Sequence, residues 1–421
     1  MAGSIAQHLT SIAAVIGVWV LGGLLSLTGA LSLAELGAAF PVAAVPYIAT
    51  ERAFGRVMAF LTGWASVTVL NSGVIAAVAA AVGFYAAPLL GLHNTGEKLL
   101  QVLTIAFFTW INSLGVASGK QLQNALTLLK VFGIASMVVV LYVKGSVAQI
   151  GHNMFVLGHG GFSLIEVVGA LAAVLWAYDG WIMVSNNAAE IRDPERTLPR
   201  ALMIGVALAI CIYVVANVAY YAVLSPEAIR GTGRVAAVAV QHALGPQGGL
   251  FISILIIVSI LGTMNGQLMG LPRLSYAMAK DGLFFRMFAR VSRKTHAPVV
   301  AIVTQGVLAM LFTLMGSFQQ LFTSYVFLAW IFYGLMGTAV LVLRYREPEL
   351  ERPFRCPLYP LTPLFFILAS LGFVVTEFVA NFRQAITGIG LLLTGIPMYF
   401  LFQYLERRRE SALQHANSAG K

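Results

Sequence analysis

Long apolar stretches separated by short polar segments run along the whole chain. A hydrocarbon core about 30 Å thick is crossed by roughly 20 helical residues, and eleven of the stretches approach or exceed that length. The pattern therefore predicts an all-α polytopic membrane protein with about 11 transmembrane helices. The predicted spans cover residues 11–40, 57–90, 99–114, 125–143, 164–185, 199–224, 248–278, 298–315, 322–343, 363–380 and 385–405.

Basic side chains are concentrated in one set of alternate loops. The chain has 26 lysine and arginine residues, and most of them lie in this set. Because such residues collect on the cytoplasmic side, the pattern predicts a multi-pass protein of the inner or plasma membrane with a cytoplasmic carboxyl terminus. Topology alone then accounts for the net charge of +10, and we expect the lipid bilayer rather than nucleic acid as the partner. The basic set is Arg52, Arg56, Lys120, Arg192, Arg196, Arg200, Lys280, Arg286, Arg290, Arg293, Lys294, Arg344, Arg346, Arg352, Arg355, Arg407, Arg408, Arg409 and Lys421.

The position of the amino terminus follows from the same count. Eleven spans with an internal carboxyl terminus place Met1 outside, and no signal-peptide pattern precedes the first span. The simplest expectation is that one further span precedes Met1 in the natural protein. The alternative is that one long stretch contains two spans or that one short stretch does not cross.

Composition agrees with a membrane protein, and the motifs in the sequence predict no cofactor. Hydrophobic residues make up 59% of the chain and charged residues 10%, whereas a soluble domain has about 25% charged residues. The two cysteines, Cys211 and Cys356, form neither a disulfide framework nor a metal-ligand spacing. The spans contain no His-Glu-x-x-His run, serine–lysine pair or paired aspartates. The sequence therefore predicts no catalytic residues, no metal site and no enzyme.

A carboxylate and a glycine interrupt the predicted span 164–185. A charged side chain near the bilayer centre costs at least about 2.5–3.5 kcal/mol, so Asp179 indicates a polar cavity. Gly180 tolerates non-helical dihedrals, and a helix broken there frees carbonyls for an α-amino group and N–H groups for a carboxylate. The predicted substrate-binding residues are Trp176, Ala177, Tyr178, Asp179, Gly180 and Trp181.

More than one role is open for this segment. Asp179 either contacts the substrate, orients the backbone or receives a cation. In the alternative interpretation it is a hydrated cap on a kinked helix, and the tryptophans only pack.

Motifs in the loops resemble those of the amino acid–polyamine–organocation superfamily, in particular the bacterial L-type amino acid transporter-like branch. The resemblance covers nearly the whole chain in order. It is carried by Ala34-Glu35-Leu36-Gly37 with Phe40-Pro41, by Trp176-Ala177-Tyr178-Asp179-Gly180-Trp181 with the following residues 190–202, and by Tyr276-Ala277-Met278-Ala279-Lys280-Asp281-Gly282.

The resemblance implies a LeuT-type fold built from a five-plus-five inverted repeat whose first helix is missing here. Residues 1–143 would be the remainder of the first repeat, 164–343 the second repeat, 363–405 two additional helices and 406–421 a cytoplasmic tail. The implied function is secondary active transport of amino acids by alternating access, as an exchanger or a proton-coupled symporter. The alternative is a non-transporting or degenerate membrane protein, such as a sensor or a subunit.

Other polar residues of the spans are candidates for the same site. The resemblance implies that Lys130 occupies a cation position and couples protonation to gating, because a buried lysine loses its proton readily. The alternative is that Lys130 snorkels to the cytoplasmic interface. Ser259, Thr263 and Asn265 are possible cavity-lining residues, and Glu35, near the end of its span, is expected to be hydrated.

Overall fold

The computed structural model describes residues 1–9, 11–42, 44–153, 163–186, 191–315 and 318–419. Glu190 of the predicted motif and Lys421 of the predicted basic set lie outside these residues. All regular elements in the described residues are helical. They are α1 (Ala2–His8), α2 (Ile12–Ala39), α3 (Val45–Phe54), α4 (Arg56–Ala65), a π-helical turn (Ser66–Leu70), α5 (Asn71–Leu89), α6 (Thr95–Ser113), α7 (Val116–Lys144), α8 (Val147–Asn153), α9 (Leu164–Tyr178), α10 (Met183–Asn186), α11 (Pro194–Tyr221), α12 (Pro226–Arg230), α13 (Val235–Leu244), α14 (Pro246–Gly270), α15 (Pro272–Lys280), a 3-10 turn (Arg286–Ala289), α16 (Val299–Met315), α17 (Phe318–Arg346), α18 (Leu361–Ala380), α19 (Phe382–Leu393) and α20 (Gly395–Ala419).

Nine helical segments of the described chain are long and apolar enough to cross a membrane. Each coincides with a predicted span, and the longest are Arg56–Leu89 with 34 residues and Pro246–Lys280 with 35. The other two predicted spans are also helical, as α6 with 19 residues and α16 with 17, and they pack against each other. The prediction of an all-α polytopic membrane protein is confirmed. The inverted repeat and its boundaries stay predictions.

A buried hydrophobic core connects many of the helices. It includes Leu25 of α2, Val74 of α5, Leu175 of α9, Leu268 of α14 and Phe327 of α17. Helix α2 also packs along α11 and α9, while α14 packs along α7 and α5. The carboxyl-terminal end of α9, where the predicted site lies, contacts α17 through Trp176 and Tyr325, whose ring centroids are 5.2 Å apart.

The expectation that Glu35 is hydrated is wrong. Only 2% of Glu35 is exposed, and its carboxylate accepts two hydrogen bonds from Arg344, at 2.8 Å from Nε and 2.7 Å from Nη2. The Arg352 Nε lies 3.5 Å away, and the backbone N–H of Cys356 donates to Oε2 at 2.7 Å. The end of α17 and the loop after it fold over the end of α2 and exclude water from the carboxylate.

Candidate substrate-binding cavity

The helix that begins at Leu164 breaks at the predicted position. Helix α9 ends at Tyr178, after which Asp179 is extended (φ −64°, ψ 151°) and Gly180 has a φ of 115°. The Asp179 N–H donates to the Trp176 carbonyl at 3.1 Å, and the Met183 N–H donates to the Gly180 carbonyl at 3.0 Å. A turn therefore separates α9 from α10. Gly180 is suited to it because L side chains rarely adopt a positive φ.

The Asp179 carboxylate is held by three donors. The Tyr325 hydroxyl donates to Oδ2 and the Tyr333 hydroxyl to Oδ1, both at 2.5 Å. The Gly180 N–H also donates to Oδ1, at 2.8 Å. Since buried carboxylates are tolerated when they are fully hydrogen-bonded, this arrangement explains how an acidic group is accommodated inside the bundle. We call Asp179, Tyr325 and Tyr333 the carboxylate clamp.

A cavity of about 470 Å³ adjoins the break. Its size falls within the range of small-molecule sites, about 300–1,000 Å³. Four of the predicted residues line it from the broken helix: Trp176, Ala177, Asp179 and Gly180. The facing helices contribute Thr62, Ser66, Leu70, Asn71, Val74, Val78, Lys130, Thr263, Gln267, Leu271, Leu274, Tyr325, Ala329, Phe332, Tyr333 and Met336.

The structure places Tyr178 and Trp181 on the other side of the break. The Tyr178 hydroxyl donates to the Trp19 carbonyl at 3.0 Å, and Trp181 packs on Tyr333 with ring centroids 5.3 Å apart. Both line a smaller cavity of about 210 Å³ against α11. The two side chains therefore support the broken segment from behind and do not border the main cavity.

Lys130 lies in the wall of the main cavity, where its Nζ donates to Thr263 Oγ1 at 3.0 Å. The Thr263 hydroxyl in turn donates to the Ser259 carbonyl at 3.2 Å. The structure thus brings Lys130 and Thr263 together at the cavity. Whether Lys130 couples protonation to transport stays a prediction.

Of the three candidate polar residues on α14, Thr263 lines the cavity. Asn265 is fully buried between helices, since it accepts a hydrogen bond from Asn112 Nδ2 and donates one to Gln123 Oε1, each at 3.0 Å. Ser259 is outside the lining of the main cavity, one turn before Thr263. Residues four apart share a face, so Ser259 lies on the same face as Thr263 without being part of the lining, whereas Asn265, two residues after Thr263, faces the neighbouring helices. The cavity is lined by Thr263 and Gln267 of α14 and by Leu271, which directly follows that helix.

Sequence reasoning missed several residues of this site. Tyr325 and Tyr333 lie 146 and 154 residues after Asp179, so no local signal connects them. Gln267 was accessible to reasoning, because it follows Thr263 by one helical turn. Asn71 donates to the Leu271 carbonyl at 3.4 Å and also borders the cavity.

Among the described residues, no cluster of three or more His, Cys, Asp or Glu side chains could hold a metal ion. The polar groups of the cavity are a lysine, hydroxyls, carboxamides and one clamped carboxylate. Such a set suits the recognition of a small polar molecule by hydrogen bonds.

Comparison with known proteins identifies the class. The family model for amino acid permeases matches residues 1–402, so the chain belongs to the amino acid permease family. The chain is 31% identical to the serine/threonine exchanger SteT of Bacillus subtilis (strain 168), over 91% of this chain and 87% of the relative.

Two mammalian relatives are similar over most of their length. The b(0,+)-type amino acid transporter 1 of Mus musculus is 28% identical over 95% of this chain and 83% of its own. The cystine/glutamate transporter of Homo sapiens is 27% identical over 94% and 79%. The predicted function is confirmed: the protein is an integral membrane transporter for amino acids and not an enzyme.

Proposed function

We propose that the protein exchanges neutral amino acids across the inner or plasma membrane by alternating access, with its carboxyl terminus in the cytoplasm. The observation that carries this proposal is the cavity of about 470 Å³ at the broken helix. The exchange mode is supported by the similarity to an exchanger, SteT. The orientation is supported by the distribution of lysine and arginine among the loops.

The break offers hydrogen-bond partners for the α-amino and α-carboxylate groups. Residues 179–182 leave the helix, and within the described chain the Ile182 N–H donates no hydrogen bond. Ile182 lines the cavity, so this N–H is a candidate donor to a substrate carboxylate. The Trp176 and Ala177 carbonyls at the end of α9 already accept one hydrogen bond each, from the Asp179 N–H and the Tyr213 hydroxyl. Their second lone pairs are candidate acceptors for the ammonium.

The clamped state of Asp179 favours neutral substrates. Both carboxylate oxygens already accept hydrogen bonds, from Tyr325, Tyr333 and Gly180. A cationic substrate side chain would have to replace the tyrosine donors to pair with Asp179. We therefore assign Asp179 a positioning role, in which it fixes the broken segment against α17.

We further propose that Lys130 takes the place of a transported cation. Its ammonium lies between α7 and α14 and is hydrogen-bonded to Thr263, at the wall of the substrate cavity. A lysine cation at this position removes the need for a sodium ion. Because a lysine can gain and lose its proton, its protonation can bias the conformational equilibrium.

Exchange in proteoliposomes tests the proposal. Purified protein is reconstituted with a membrane-impermeant internal amino acid, and uptake of radiolabelled alanine or serine is measured. We expect saturable uptake that requires an amino acid inside and is absent from empty vesicles. Uptake into empty vesicles driven by a pH gradient would indicate proton symport instead. Binding without any flux would favour a non-transporting protein.

A further inference from the structure

One carboxamide oxygen in the cavity wall, Oε1 of Gln267, has no hydrogen-bond partner among the described residues. Gln267 is 8% exposed, and its buried Oε1 accepts no hydrogen bond from any residue that the structure describes. Buried polar groups are nearly always paired, and leaving one unpaired is unfavourable. The carboxamide lines the cavity that adjoins the break at Gly180.

We propose that the Gln267 carboxamide binds the side-chain hydroxyl of the transported amino acid and makes the protein selective for serine and threonine. The inference rests on the proposed exchange function, because it places the substrate in this cavity. It goes further by assigning one side chain to substrate selection.

The hydrogen-bonding capacity of a hydroxyl matches what Gln267 leaves open. A carboxamide offers an acceptor oxygen and two N–H donors, and a hydroxyl offers one donor and two acceptor lone pairs. An aliphatic side chain in the same place would leave Oε1 unpaired. A site built to pair with a hydroxyl therefore discriminates against the analogue that lacks it.

Most of the other polar groups in the cavity wall are already engaged, although the buried Tyr47 hydroxyl also has no hydrogen-bond partner among the described residues. Asn71 donates to the Leu271 carbonyl, and the Thr263 hydroxyl accepts from Lys130. The Asp179 carboxylate accepts from the Tyr325 and Tyr333 hydroxyls. Leu70, Val74 and Phe332 supply apolar wall nearby. Gln267 is thus the uncharged polar side chain of α14 that remains available to a substrate.

The first test uses the unaltered protein and pairs of substrates that differ only by a hydroxyl in place of a methyl group. Unlabelled serine is compared with 2-aminobutyrate, and threonine with valine, as inhibitors of exchange in proteoliposomes. We expect the hydroxyl member of each pair to inhibit at about tenfold lower concentration. Equal inhibition by both members, with exchange intact, overturns the inference and leaves the transporter function standing.

The second test removes the carboxamide. Gln267→Met keeps the length of the side chain and should lower the preference for serine over 2-aminobutyrate by about three- to tenfold, the factor that one ordinary hydrogen bond supplies. Thr263→Val is the matched control on the same face of α14. It removes a hydroxyl and lowers the rate through Lys130, but it should leave the preference unchanged.

The outcomes separate the two proposals. A Gln267→Met protein that exchanges amino acids with the original preference overturns the assignment of Gln267. If this variant does not fold, the comparison of isosteric substrates on the unaltered protein decides the question alone. Absence of exchange for every amino acid by the unaltered protein overturns the transport proposal itself.

Discussion

The Tyr333 hydroxyl donates a 2.5 Å hydrogen bond to Asp179 Oδ1 and thereby joins the centre of α17 to the break after α9. Tyr325, two helical turns earlier on α17, holds the other carboxylate oxygen. These two hydrogen bonds add to the packing of Trp181 on Tyr333 in holding the four-residue turn between α9 and α10. The clamp gives the broken segment a defined position beside the substrate cavity.

Tyr333→Phe should lower exchange by roughly tenfold or more. A hydrogen bond to a charged group is worth about 1.5–3 kcal/mol, and its loss leaves Asp179 less well satisfied and the break less well positioned. Initial rates of exchange in proteoliposomes measure the effect. Tyr345→Phe is the control, because this tyrosine lies on the same helix but is 88% exposed. Equal rates for the two variants would contradict a positioning role for Asp179.

Lys130→Met should reduce exchange by roughly tenfold and flatten its dependence on pH. The substitution removes a fixed cation from the cavity wall and leaves the Thr263 hydroxyl without its donor. Exchange rates across a range of external pH values measure the change. Lys144→Met, at the exposed end of the same helix, should behave as the unaltered protein does. An unchanged pH profile in Lys130→Met would refute the coupling role.

Glu35→Ala should lower the free energy of unfolding by about 3–5 kcal/mol. Removing one partner of a buried ion pair leaves uncompensated charge, here on Arg344 and Arg352. Glu51→Ala is the matched control, since its pair with Arg56 is exposed and worth at most about 1 kcal/mol. Thermal unfolding in detergent compares the two variants. Similar losses would show that burial of Glu35 adds nothing to stability.

Cys356 should react slowly with maleimides at neutral pH. Burial, together with the negative charge of Glu35, raises the pKa of its thiol to about 11, so little reactive thiolate is present. In a Cys211→Ser background, mass spectrometry should show labelling that rises roughly tenfold per pH unit in the alkaline range. Glu35→Ala should accelerate labelling at a given pH. Rapid labelling of the unaltered loop at neutral pH would be inconsistent with a buried thiol.

The large features of the fold follow from the sequence because the bilayer constrains them. Apolar length predicted the helices, and the pair Asp179-Gly180 predicted the break, since a carboxylate and a glycine are both unfavourable in the middle of an unbroken span. These first two residues of the break line the cavity. The signals are local, so a single sequence contains them.

The parts that sequence reasoning missed depend on contacts between distant segments. Tyr333 pairs with Asp179 across 154 residues, and Arg344 pairs with Glu35 across 309. Neither pairing has a local pattern. The side of the break on which Tyr178 lies is likewise decided by the packing of α2, whose Trp19 carbonyl accepts a hydrogen bond from the Tyr178 hydroxyl.

The most direct test of the central claim compares two glycines. Gly180 and Gly372 both have open space where a Cβ would stand, but only Gly180 has a positive φ, +115°. Gly180→Ala therefore adds about 1–2 kcal/mol of backbone strain to the broken conformation, whereas Gly372→Ala adds none. If amino acids are exchanged through the break, the exchange rate of Gly180→Ala should fall by roughly five- to thirtyfold, the factor that this strain supplies, while Gly372→Ala keeps the rate of the unaltered protein. Exchange by Gly180→Ala at the rate of the unaltered protein would contradict the claim.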